Sequence, residues 1–132
     1  MATVSLQNEP APVTQDAPIL TAFARYRSAR ATYDALPFSE VDGEAYTFDE
    51  MAALASMDAA EGDIIRIPAT TPQGVEAKLW LALLHGQSSH ADCRAAATGD
   101  LAHFQAKADA LDWSVRLVVS AIASLRAMGT VA

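Results

Sequence analysis

The chain has 132 residues, 52% of them apolar, which is enough for one domain with a core of its own. Its net charge of −7 comes without a basic stripe, which argues against direct nucleic-acid binding, because phosphates repel an acidic face. A lone cysteine, Cys93, excludes an internal disulfide framework and suits a reducing compartment.

Glycine and β-branched residues are sparse and alanine is abundant, which favours helix over sheet. The expected fold class is all-α: a small helical bundle with an N-terminal antiparallel hairpin, a buried central helix and a long C-terminal helix. The N-terminus lacks a basic segment followed by an apolar run, and Arg116 with several serines interrupts the C-terminal apolar stretch. Neither a signal peptide nor a membrane span is therefore expected, and a cytoplasmic protein is.

Residues 1–16, with Pro10 and Pro12 among small polar residues, read as a disordered tail, and residues 17–129 as a single helical domain. Asp16 is placed to cap the first helix, with Pro18 in its first turn. Ile19, Phe23, Tyr26 and Tyr33 share one stripe of that helix, interrupted by Arg30, and Leu36-Pro37 ends it. After an acidic loop around Gly43, Thr47 and Glu50 have capping-box spacing. They open a second helix through Met51, Leu54, Met57, Glu61 and Ile64. The two helices should pair as a hairpin, with Arg25, Arg27 and Arg30 facing the acids of the second.

Thr71 and Pro72 form the clearest helix start in the chain: an N-cap hydroxyl followed by a proline that gives up no internal hydrogen bond. Val75, Leu79, Ala82 and Leu83 repeat at helical spacing, and Trp80, Leu81 and Leu84 widen the stripe until the helix is apolar nearly all round. Gly86 is expected as a left-handed C-cap. Ser89 and Asp92 start a short helix that Gly99 breaks. The last predicted helix runs from Asp100 to Met128 and is closed by Gly129. Leu101, Phe104, Ala108, Leu111, Val115, Val118, Ile122 and Leu125 step along it by threes and fours, an a/d seam. At roughly 43 Å, such a helix of about 29 residues is twice as long as the central one. Either the seam is used wholly within one bundle, shared by the hairpin and the central helix, or part of it pairs with a second copy, for which Leu101, Phe104, Leu111, Val115, Val118 and Ile122 are the candidate residues of a homodimer.

The run from Pro68 through Leu79 resembles one found in small helical proteins of alphaproteobacteria, many of them near prophage or mobile-element genes. The shared features are a Tyr/Arg/Ala-rich first helix, here Tyr26 to Pro37, an acidic second helix, and a core that here comprises Pro68, Ala69, Thr70, Thr71, Gly74, Lys78 and Leu79. The resemblance covers residues 18–85. It implies an all-helical fold and no particular activity.

No residue pattern points to chemistry. Asp58 and Glu61 share a helix face, but a di-metal bundle site needs Glu-x-x-His partners and the chain has none. His90 and Cys93 have the spacing of a zinc-ligand pair without a second pair, so no metal and no cofactor are expected; His85 reads as a helix-end cation. There is no Gly-x-Ser-x-Gly and no Gly-rich phosphate loop, so no enzyme is expected. Thr71, Gly74 and the following helix have the outline of a helix-turn-helix, but Lys78 is that helix's only base. Lys78 reads as a snorkelling lysine or as an ion-pair partner of Glu61 or Asp58. The run Arg25, Tyr26, Arg27, Arg30, Tyr33 reads as a core edge whose arginines answer the acidic hairpin, or as an anion or partner site.

The acidic surplus lies wholly in residues 37–66, where Glu40, Asp42, Glu44, Asp49, Glu50, Asp58, Glu61 and Asp63 face Arg66 alone. The expected function is a small acidic protein-interaction module, an adaptor, regulator or inhibitor that binds another protein with a basic surface through Glu40, Asp42, Glu44, Asp49 and Glu50. The alternative is a structural homo-oligomer built on the 101–125 seam.

Overall fold

A computed structural model describes residues 16–37 and 46–130, which form six α-helices and one 3₁₀ turn with no strand among them. They are α1 (Ala17–Ala35), α2 (Phe48–Arg66), α3 (Pro72–His85), α4 (His90–Thr98), α5 (Leu101–Ala106) and α6 (Trp113–Thr130), with the turn at Ala108–Ala110 between the last two. This is the expected small all-α bundle.

α1 and α2 pack along most of their length. Arg25 of α1 meets Asp63 near the end of α2, and Leu36 and Asp49 line the opposite end of the same groove, so the pair is antiparallel. Ile19, Ala22, Phe23, Tyr26 and Ala29 line the inner face of α1. Ala53, Met57, Ala60 and Ile64 do so for α2. Met51, expected on that stripe, is instead 59% exposed. Thr47 and Glu50 form the full capping box, each side chain bonding the other's backbone N–H.

α3 is the inner helix, touching α1, α2, α4 and α6. Thr71 accepts the Gly74 N–H at 3.3 Å, and Pro72 sits in the first turn. The buried face is Gly74, Ala77, Trp80, Leu81, Leu83 and Leu84, whereas Val75 and Ala82 of the expected stripe point outward. The shift follows from the size of Trp80, whose ring packs against Phe104 with centroids 5.9 Å apart. Gly86 ends the helix at φ −89°, in the right-handed region and not the left-handed one expected. The left-handed cap is Gly99, at φ 70°, after α4.

The predicted single C-terminal helix is two helices. α5 stops at Ala106, and after the 3₁₀ turn Asp112 accepts the Arg116 N–H to begin α6. Both pieces still reach one core: Phe104 from α5, packed on Trp80, and Ile122 from α6 are each fully buried in it. Gly129 lies inside α6 and does not close it.

The N-terminus of α1 is tied to that of α3. Asp16 is the N-cap residue of α1, yet its carboxylate makes no cap bond there and reaches Thr70 and Thr71. It accepts from the Thr70 N–H (2.9 Å), the Thr70 hydroxyl (2.9 Å), the Thr71 N–H (2.7 Å) and the Thr71 hydroxyl. These hydrogen bonds, the Thr71 hydroxyl's foremost, outweigh burial and hold the Asp16 pKa at about 2. Gly74 lies directly against the carboxylate, where any β-carbon would collide with it.

Candidate functional site

Of the five expected partner-binding acids, Glu40, Asp42 and Glu44 lie outside the described residues. Glu50 is committed to the capping box, and Asp49 is exposed on the first turn of α2. Asp63 is held by Arg25 (2.6 Å) and Arg66 (2.7 Å), which keep its carboxyl below the usual range. Glu61 pairs with His85 at 3.0 Å, leaving Lys78 with no ion pair among the described residues. Asp58 is exposed and likewise has none there.

Beside the acids stand exposed apolar side chains, two of which, Tyr46 and Phe48, the sequence did not single out. Phe48 is 85% exposed, and Tyr46 and Met51 are largely so. The available signal was phase: Phe48 precedes the Ala53, Met57, Ala60, Ile64 face and falls on the opposite side of the helix. A second exposed apolar set lies on α6, where Trp113, Leu117 and Met128 share one outer stripe. The seam residues themselves turn inward. Phe104 and Ile122 are fully buried, and Leu101, Leu111, Val115 and Val118 are half-buried against the core.

Of the three arginines expected to face α2, only Arg25 does. Arg27 lies over the Phe23 ring at 5.3 Å. Arg30 donates to the Tyr26 hydroxyl (3.4 Å) and sits 3.8 Å from Asp34. Burial pushes the Tyr26 pKa up. Arg27, Arg30 and Asp34 form one wall of a cleft of about 700 Å³, and His90, Cys93 and Arg94 of α4 form the other. Its sides are otherwise small, with Ala31, Ala35 and Ala97.

Two further polar ties lie outside the cleft. Asp92, whose N–H caps onto Ser89, shares hydrogen bonds with His103 (2.8 Å) and Lys107 (2.9 Å) that hold its pKa at about 2. Glu76 accepts from the Trp80 indole (2.9 Å) and pairs with Arg126 (3.1 Å), which also donates to the Gly99 carbonyl (2.7 Å). Nothing in spacing marks either tie, since Glu76 and Arg126 are 50 positions apart.

Cys93 donates weakly to the Gln87 carbonyl at 3.6 Å, and His90 is exposed. Among the described residues, no group of three or more potential metal ligands comes together. None of their helices is long and apolar enough to cross a membrane.

The architecture is that of a small all-helical bundle, with Tyr46, Phe48 and Asp49 exposed at the start of α2 and an arginine-lined cleft between α1 and α4. Comparison with protein-family models, with curated proteins and with solved structures returns no match.

Proposed function

We propose that the chain is a protein-interaction module with no catalysis of its own, which docks through the tip of its α1–α2 hairpin. The observation that carries this reading is Phe48, 85% exposed at the start of α2 with Tyr46 and Met51 near it. Aromatic and methionine side chains left in water at one place are typical anchors for a partner's pocket. Asp49, with Glu40, Asp42 and Glu44 before it in the sequence, gives the stretch that holds the anchors a negative charge. The complementary partner has an apolar pocket with a basic rim, and the acids would speed and orient its approach. A nucleic-acid-binding protein has such a rim, which fits an inhibitor or regulator of mobile-element origin.

Affinity capture from the native host tests the proposal, with three baits. The wild-type chain should retain a partner of basic surface. Phe48→Ser with Met51→Ser should lose it, and so should simultaneous charge reversal of Glu40, Asp42, Glu44 and Asp49. A partner kept by both variants would remove the hairpin tip from consideration.

A second reading is self-association, favoured by Trp113, 70% exposed, with Leu117 and Met128 on the outer face of α6. That face, unlike the 101–125 seam, is not covered by any of the described residues. Monomer mass by light scattering at low micromolar concentration would dismiss it.

A further inference from the structure

We propose that the cleft between α1 and α4 is a binding site for a small organic phosphate, with Arg27 and Arg94 holding the phosphate and the alanine walls holding the organic part. The site is separate from the hairpin tip and does not depend on it.

The charge distribution is the first ground. The chain has nine lysines and arginines in a background of −7, and three of the arginines line this one cleft. Arg25, Arg66, Lys107 and Arg126 each have a carboxylate partner. Within the cleft, Arg30 is already shared between Asp34 and the Tyr26 hydroxyl. Arg27 and Arg94 have no carboxylate among the described residues. Two guanidiniums on facing helices, neither of them paired with Asp34, the carboxylate that lines the same cleft beside Arg30, match a ligand bearing two negative charges. A phosphate monoester carries them above its second pKa of about 6, and its oxygens fit the guanidinium fork.

Shape is the second ground. A volume of about 700 Å³ falls within the range of small-molecule sites, whereas a lone inorganic anion would leave it largely empty. Ala31, Ala35 and Ala97 offer apolar surface without bulk. Arg27 stacks on the Phe23 ring at 5.3 Å, at the border with a neighbouring cleft that both residues line, which limits the freedom that the guanidinium loses on binding. His90 stands at the same cleft, where its ring N–H adds a further donor.

The test uses the full chain, with phenyl phosphate as probe and inorganic phosphate and benzoate as comparisons, followed by NMR of the Ala31 and Ala97 methyls and the arginine Nε–H groups. Phenyl phosphate should give saturable shifts at Arg27, Arg94, Ala31 and Ala97, and bind more tightly than either comparison. Arg27→Gln and Arg94→Gln should each weaken it by about tenfold or more, the worth of one charge-assisted contact. Arg116→Gln, an exposed arginine outside the cleft, should leave the affinity unchanged, and circular dichroism should show all three variants folded. Equal binding of inorganic phosphate would overturn the assignment of an organic ligand. Shifts scattered over other arginines, equal loss in Arg116→Gln, or no saturation would overturn the site.

Discussion

Asp16 and Thr70, 54 positions apart, are joined by both the backbone N–H and the hydroxyl of the threonine, and Thr71 repeats the pattern on the same carboxylate. One side chain therefore satisfies two backbone donors just before α3 and fixes where α1 begins relative to it. Gly74 belongs to the same device, because its missing β-carbon makes room for the carboxylate.

That arrangement predicts a change of sign. Gly74→Ala in the native background should destabilise the fold by about 1–3 kcal/mol through the collision. In an Asp16→Gly background, itself less stable than wild type but free of both the carboxylate and the β-carbon that stands 3.0 Å from the new methyl, the same substitution should stabilise, by up to about 1 kcal/mol, because alanine is the better helix former. Urea midpoints of the four proteins check it. A glycine-to-alanine cost that is equal in both backgrounds would dissociate Gly74 from Asp16.

Acid should loosen the molecule in a defined window. Asp16 and Asp92 are both held at about 2, below the ordinary 3.8 that they regain on unfolding. Their contribution is complete above the unfolded value and is lost as pH falls from about 4 through about 2, because the unfolded chain takes up the protons first. Stability against urea should drop across that interval. Asp16→Asn with Asp92→Asn should be less stable at neutral pH and show a shallower drop.

The two tryptophans should behave as opposites. Trp80 is 3% exposed and Trp113 70%. Trp80→Ala should cost about 3–5 kcal/mol, and Trp113→Ala no more than about 0.5 kcal/mol in the monomer. Acrylamide should quench the fluorescence of Trp80→Phe efficiently and that of Trp113→Phe poorly.

Phe104 and Ile122 separate packing within the chain from packing between chains. Each is fully buried. Phe104→Ala should cost about 3–5 kcal/mol and Ile122→Ala about 2–5 kcal/mol. If that burial is internal, the loss is the same at any protein concentration. A loss that shrinks with dilution, followed by thermal melts at several concentrations, would return these side chains to an interface.

Helix starts were the most legible part of the sequence. Thr47 with Glu50, Thr71 with Pro72 and Ser89 with Asp92 each carry their own hydrogen-bond logic over four residues or fewer, and each appears as read. The break after Ala106 was hidden because Phe104, Leu111, Val115 and Ile122 keep helical spacing across it. Asp112, a good N-cap residue inside the supposed rod, was the one local sign. The cleft was half legible: Arg27 and Arg30 stood out together, but only tertiary packing brings Arg94 and His90 opposite them. Asp16 was recognised as a cap residue, yet its partners lie far along the chain, where spacing arguments do not reach.

The carboxylate of Asp16 also gives the fold a mechanical tie. Its four donors lie side by side at one point, so a pull on the chain ahead of α1 loads them together and not one after another. Tension arriving from that side is shared between the start of α3, through Thr70 and Thr71, and the first turn of α1, through the Leu20 N–H on the Asp16 carbonyl.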